Sequence, residues 1–331
     1  MREVIPGIYQ LQLPLTDSRL GYVNTYLIQG DDGHLLIDTG WNTSEAFDSL
    51  KKQLAEIGID FEDISQIVVT HIHPDHYGLA GRLKHLSTAK LALHYLEKDF
   101  IESRYINMDE LLREMEEWLH INGVSANELP ELKTASLGMI KFVVPVLPDI
   151  ILRGGEIIST GVFSFQVLWT PGHSSGHISL YEPTQKILVS GDHILPTITP
   201  NISRHPQSSI NPLGDYLNSL STVKQLDVNL ILPGHENPFT GLKPRVDEII
   251  QHHKQRSSEI LETIKAKPKT AYQISTGITW MSDISGVGWQ NLASWDKRMA
   301  VMETIAHLEA MRFDGKVNKF FKDNTIYYRH T

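Results

Sequence analysis

The 331-residue chain contains no cysteine. That absence excludes a thiolate metal ligand, a cysteine nucleophile and any disulfide staple. Long apolar runs are missing as well: no segment approaches the roughly 20 residues that span a bilayer. The opening Met1-Arg2-Glu3-Val4-Ile5-Pro6 has no apolar core of the kind a secretory leader carries. A cytoplasmic protein with no membrane partner is therefore expected. Positive charge is in short supply, with 30 Lys and Arg against 39 Asp and Glu and a net charge of -9. Such a balance argues against a general nucleic-acid-binding surface. It is unevenly spread, because residues 245 to 331 hold 13 Lys or Arg against 10 Asp or Glu. The acidity thus lies in residues 1 to 244. A hydrophobic content of 41% is ordinary for a soluble globular protein, and the length allows one large core plus a smaller module.

What the chain does have is histidine at strand ends. Thr70-His71-Ile72-His73-Pro74-Asp75-His76 packs three imidazoles and a carboxylate directly after the apolar, β-like Ile67-Val68-Val69. Side chains alternate faces in an extended segment, so His71 and His73 point the same way and can share one ion. Asp75 and His76 lie past a proline, where the chain turns and can face a second ion. Three further segments repeat the arrangement of strand, turn residue and metal-type side chain. They are Phe163 to Leu168 followed by Thr170-Pro171-Gly172-His173, Ile187-Leu188-Val189-Ser190-Gly191-Asp192, and Leu230-Ile231-Leu232-Pro233-Gly234-His235. Each alone reads more readily as a cap or turn residue. Four together point to a metal centre.

The H-x-H-x-D-H motif, the T-P-G-H segment, the G-D strand end and the final P-G-H, in this order, resemble the metallo-β-lactamase-fold hydrolase superfamily over about residues 1 to 244. The resemblance implies an α+β fold, the αββα sandwich, with two mixed sheets face to face and the metals at one sheet edge. It implies that His71, His73 and His173 hold one ion, that Asp75, His76 and His235 hold a second, and that Asp192 bridges them.

The chemistry follows from the residue types. Imidazole suits borderline divalent ions such as zinc, though iron and manganese also accept mixed histidine and carboxylate sets. Two adjacent ions lower the pKa of a shared water from about 15.7 toward 7, supplying hydroxide at neutral pH. Metal-assisted hydrolysis is the expected reaction class, with Asp75 suited both to ligation and to accepting the proton of the attacking water.

Supporting residues are read with alternatives open. Leu35-Leu36-Ile37-Asp38 ends a strand of a hairpin turning at Asp31-Asp32-Gly33. By resemblance Asp38 orients a ligand histidine; as a local feature it closes the strand as an Asx turn. His177 stands where many relatives carry histidine, implying a supporting role, and reads otherwise as a packed side chain. His193 would face away from Asp192 in a continuing strand and is not taken as a ligand. His252 and His253 read as solvated surface. Asn201, Arg204 and His205, in a Pro- and Ser-rich loop, are candidate substrate contacts at the pocket rim, Arg204 reading more readily as a solvated loop arginine.

Two regions depart from the simplest sandwich. Residues 94 to 150 form a helical insertion whose Met108, Leu111, Leu112, Met115, Trp118 and Leu119 recur at helical spacing. The proline-broken apolar stretch from Leu137 to Pro148 suits neither helix nor central strand. The insertion is either a lid forming an apolar wall beside the metals or a buried or dimer-forming segment. Residues 245 to 331 read as helix, helix, helix and hairpin, an order that resembles the winged-helix appendage found on the superfamily branch of the β-lactamase-like protein 2 type. The expected function is hydrolysis of an ester, thioester or lactone in a small, partly apolar substrate, with phosphotriester or aryl ester cleavage as a side activity. A metal-dependent endoribonuclease is the alternative.

Overall fold

The computed structural model describes residues 1–31, 33–280 and 287–331. Asp32 of the expected hairpin turn lies outside the described residues. The chain divides into two compact units, one of Met1–Ile106, Met139–Pro200 and Ser219–Val246, the other of Asn107–Gly138, Asn201–Asn218 and Asp247–Thr331.

The first unit contains two mixed sheets. One has seven strands in chain order: β1 (Arg2–Ile5), β2 (Ile8–Pro14), β3 (Tyr22–Ile28), β4 (His34–Ile37), β5 (Ile64–Val68), β6 (Lys90–His94) and β7 (Ile150–Leu152). Its first four strands pair antiparallel and the rest parallel. The other sheet comprises β8 (Ile157–Ser159), β9 (Ser164–Trp169), β10 (Ile178–Glu182), β11 (Ile187–Gly191) and β12 (Leu230–Pro233). Alternation of side chains explains how the layers stack. On the first sheet Ile8, Tyr26, Leu35, Ile37, Val68 and Ala92 face one way and join Phe165, Val167, Leu180 and Val189 of the second sheet in a single buried cluster. The intervening residues Leu11, Leu13, Leu27, Leu36, Ile67, Leu91 and Leu93 face the other way, onto helix α1 (Ser44–Ala55). Because both faces are covered, apolar residues stand at adjacent positions, as in Leu35-Leu36-Ile37 and Leu91-Ala92-Leu93. Helix α1 is started by Thr43, whose hydroxyl accepts from the Ala46 N–H at 3.1 Å.

Strand direction places the chemistry. β11 and β12 are parallel, and β9, antiparallel to β10, runs the same way as β11. The C-terminal ends of β9, β11 and β12 therefore meet at one edge of the second sheet. The loop after β5 leads into α2 (Pro74–Tyr77) and α3 (Ala80–Leu86), and β6 into α4 (Tyr95–Lys98) and α5 (Ile101–Tyr105).

The second unit is built around α6 (Asp109–Ile121), α7 (Leu129–Thr134), part of α8 (Pro212–Val223), most of α9 (Leu242–Thr263), α10 (Ala271–Ser275), α11 (Ser294–Phe313) and the hairpin β13 (Val317–Lys322) and β14 (Thr325–His330). The helix, helix, helix, hairpin order is present. The expected single insertion, however, is divided between the units: residues 94–106 and 139–150 belong to the first and 107–138 to the second. The reason is hydrophobic. Met115, Leu119, Val124 and Leu132 share one buried cluster with Ile260, Ile274, Val301, Leu308, Val317 and Tyr328. The stretch after Gly138 runs through a short 3-10 helix, Leu137–Phe142, and then without regular structure, as its prolines require. Among the described residues no helix is long and apolar enough to cross a membrane.

The reading of His253 as a surface residue is corrected: it is 2% exposed, with its Nδ1 3.4 Å from His307 Nε2 and its ring against Tyr216. Helical spacing places His253 on the face of α9 that turns inward, which composition alone does not reveal.

Two expectations follow. Each of Met115, Leu119 and Leu132 gains about 1.5–3 kcal/mol from burial, so deleting residues 245–331 should leave an aggregating chain, checked by light scattering of the truncated protein. Burial, with the His252 and Arg256 charges, pushes the His253 pKa from 6.5 down to about 3. Below pH 6.5 the unfolded chain takes up a proton that the folded imidazole refuses, so this contribution is intact above that pH and is lost as pH falls toward 3. The stability difference between wild type and His253→Phe should therefore shift against the wild type by up to about 1.4 kcal/mol per pH unit on acidification, measured by denaturant unfolding at several pH values.

Candidate metal centre

The turn after β5 carries the first donors. His71 and His73 lie in irregular chain, and Pro74 at the start of α2 fixes the geometry from which Asp75 and His76 project. His73 Nδ1 stands 3.0 Å from His71 Nε2 and 3.0 Å from His173 Nε2. A second set is formed by Asp75, His76 and His235, with Asp75 Oδ2 3.3 Å from His235 Nε2 and 3.8 Å from His76 Nε2. Asp192 stands between the two. Its Oδ1 is 3.4 Å from His76 Nε2, and its Oδ2 is 3.6 Å from both His173 Nε2 and His235 Nε2. All seven expected ligands are thus brought together.

Donor atoms at about 2.0–2.1 Å from one tetrahedral ion stand about 3.3 Å from one another, and the separations seen here bracket that value. His76 Nε2, His235 Nε2 and Asp192 Oδ1 are buried without a hydrogen-bond partner, which is costly for polar atoms unless a cation serves them. The residues fit divalent ions.

The ring nitrogens turned away from this space are held. His71 Nδ1 lies 3.1 Å from the Thr70 hydroxyl, His76 Nδ1 2.8 Å from Asp38 Oδ2, and His235 Nδ1 3.1 Å from the Tyr22 carbonyl. These contacts leave Nε2 of each ring facing inward. Asp38 also accepts from the Thr70 N–H at 2.7 Å and the Thr70 hydroxyl at 2.9 Å. It does so from φ +61°, a left-handed conformation uncommon for a residue with a side chain. His177 is buried and faces no donor set. Its Nε2 accepts the Asp192 backbone N–H at 3.1 Å, so Nδ1 carries the proton and donates to Thr170 Oγ1 at 2.9 Å. It therefore holds the backbone that carries Asp192. His193 is buried and takes no place in either set.

The electrostatics divide in the same way. Burial pushes the pKa values of His71, His73 and His177 well below the ordinary histidine range, keeping them neutral. Burial acts in that direction on His235 too, but Asp192 and Asp75 overcome it and raise its pKa to about 10, while Asp192, Asp38 and Asp75 raise that of His76. For Asp75, burial opposes the charged form, yet His76 and His235 bring its pKa to about 2. The second set therefore has a field that favours positive charge.

Asn201, Arg204 and His205 are not part of this convergence. They belong to the second unit, where Asn201 Nδ2 donates to Glu303 Oε2 at 2.6 Å and the Arg204 guanidinium stacks over Trp118 at 4.6 Å. Arg204 Nη1 donates to the His205 carbonyl, and the His205 N–H to Ser208 Oγ at 3.0 Å. Arg204 is half-buried in these contacts instead of solvated. Sequence reading missed Asn24 and Tyr26, whose side chains donate to the Pro233 carbonyl at 2.9 and 2.8 Å and fix the strand end before His235. It also missed the buried Glu97. Their only signal in the sequence is a polar residue inside an apolar strand or beside one.

A family model of the metallo-beta-lactamase superfamily matches residues 18–235, and the chain belongs to that superfamily. It is similar over its whole length to a probable metallo-hydrolase, YqjP, of Bacillus subtilis, at 28% identity covering 95% of each chain. The human acyl-coenzyme A thioesterase MBLAC2 is 28% identical over 70% of this chain and 79% of its own. A metallo-beta-lactamase family protein from Thermus thermophilus superposes with TM-score 0.84 at 29% identity, covering 99% of this chain and 100% of that one. The protein is a metallo-hydrolase.

Gly234 supplies a test of the geometry. A Cβ there would stand 2.4 Å from Asp192 Oδ1 and 2.8 Å from His76 Cε1, whereas at Gly138 it would meet nothing within 4 Å. Gly234→Ala should displace Asp192 and cut metal uptake at least tenfold, while Gly138→Ala leaves it unchanged, as measured by elemental analysis after reloading.

Proposed function

We propose that the chain is a binuclear hydrolase of acyl esters, with thioesters the preferred class and lactones and aryl esters also within reach. The observation that carries this reading is Asp192, whose two carboxylate oxygens reach donors of both sets. A single tetrahedral site uses four donors, and seven are assembled. Zinc is the favoured ion on the donor chemistry, with iron or manganese compatible. The thioester preference is supported by the name of the human relative.

When bound, two divalent ions acidify water and polarise an acyl oxygen. The chain's own groups do the rest. Asp75, kept ionised by His76 and His235, accepts a proton at its carboxylate during attack. Asp38 keeps the His76 ring in the orientation that turns Nε2 inward, and His177 fixes the backbone from which Asp192 projects.

A ribonuclease reading finds less support. The cations that a groove-reading α11 would present are engaged inside the second unit: Lys297 with Glu128 at 3.4 Å, Arg312 with Glu309 at 2.6 Å, and Arg298 against Trp295 at 4.9 Å. Little charge remains for phosphate neutralisation.

Reloaded protein should bind two ions per chain, lose activity on chelation, and lose about 10²–10⁴-fold in kcat on Asp75→Asn with the fold intact by circular dichroism. Assays should span acyl-coenzyme A thioesters, lactones, aryl esters, phosphodiesters and single-stranded RNA. Full activity with one ion per chain, or cleavage of RNA alone, would overturn the reading.

A further inference from the structure

Two peptide N–H groups from different ligand-bearing loops converge on one carboxylate. Ile72, between His71 and His73, donates to Glu97 Oε2 at 3.0 Å. Gly176, between His173 and His177, donates to Glu97 Oε1 at 2.6 Å. Glu97 is 1% exposed and sits in α4, directly after β6. The approach is as close as the backbone permits, since a Cβ at residue 176 would stand 2.7 Å from Glu97 Cγ and 2.7 Å from His94 Nδ1. The next peptide group is held by Tyr105, whose hydroxyl donates to the Ile72 carbonyl.

We propose that Glu97 is a positioning residue that sets the separation of His71 and His73 from His173, and through it the affinity for the ion those three would hold. This role of Glu97 rests on the metal reading above and adds to it a residue that contacts no ion. His71 and His73 follow β5 of the first sheet, and His173 follows β9 of the second. Apolar packing between sheets is non-directional and does not fix a distance to a few tenths of an ångström. Two charge-assisted hydrogen bonds to the two oxygens of one rigid carboxylate do so. The group must be a carboxylate because both peptides are donors. A glutamine offers one acceptor oxygen and turns its own N–H₂ toward the second N–H.

The test is competitive titration of metal-free full-length protein with Zn²⁺ against a chromophoric chelator, which reads each ion equivalent without any substrate. Glu97→Ala should weaken at least one equivalent by about 10–100-fold, the range found when outer partners of metal ligands are removed. Glu97→Gln, retaining one of the two bonds, should fall between it and wild type. Glu182 provides the control: it is 3% exposed, lies in β10, and accepts from the Gln185 N–H away from the donor sets. Glu182→Ala removes an equally buried carboxylate and should leave both equivalents unchanged. Wild-type affinity for both ions in Glu97→Ala, or an equal loss in Glu182→Ala, overturns the proposal. If Glu97→Ala fails to fold, Glu97→Gln decides by the same criterion. Failure of the wild-type chain itself to take up Zn²⁺ would overturn the metal reading and the clamp with it.

Discussion

Seven side chains direct acceptor atoms into one small space, and their lone pairs repel one another unless positive charge stands among them. Everything around the site can be understood as holding that arrangement together. The two donor sets meet the problem differently. The set of His71, His73 and His173 consists of imidazoles kept neutral by burial, a form ready to donate to a metal. The other set contains Asp75 and shares Asp192, so its field draws protons onto His76 and His235 and would draw a divalent cation more strongly.

Rigidity comes from backbone more than from side chains. Three strands running the same way deliver their C-terminal ends to one sheet edge, and glycines let neighbouring groups approach the chain there. At Gly191, with φ +50°, an added Cβ would meet His177 Nε2 at 2.8 Å. The G-D and P-G-H segments therefore combine a metal-type side chain with a residue whose smallness is needed by a different segment. Asp38 shows a further cost: it adopts a left-handed backbone so that its carboxylate can serve both His76 and Thr70.

The second unit obeys another constraint. Its apolar cluster gathers residues from two separated stretches of sequence, 115–132 and 260–328. In the same unit the buried His253 meets His307, which in turn contacts the Ser257 hydroxyl. Several of its basic side chains pair with acids of the same unit, Lys297 with Glu128 and Arg312 with Glu309.

The candidate metal ligands were legible in the sequence because metal chemistry demands particular residue types, and each lies shortly after an apolar strand with proline or glycine nearby. The two-sheet layering was legible through the resemblance those motifs carry. Helical spacing also placed Met115 and Leu119 on one helix face, but not which core that face would join; helix 109–121 proved to pack with the C-terminal helices because their apolar faces needed one another. Glu97, Asn24 and Tyr26 have no local signature, since their role depends on peptide groups 25, 209 and 207 residues away. The burial of Arg204 and His253 escaped the sequence for the same reason. Residue type and period record what a side chain can do and which face it occupies, whereas the identity of the opposing group is settled only when distant segments are packed together.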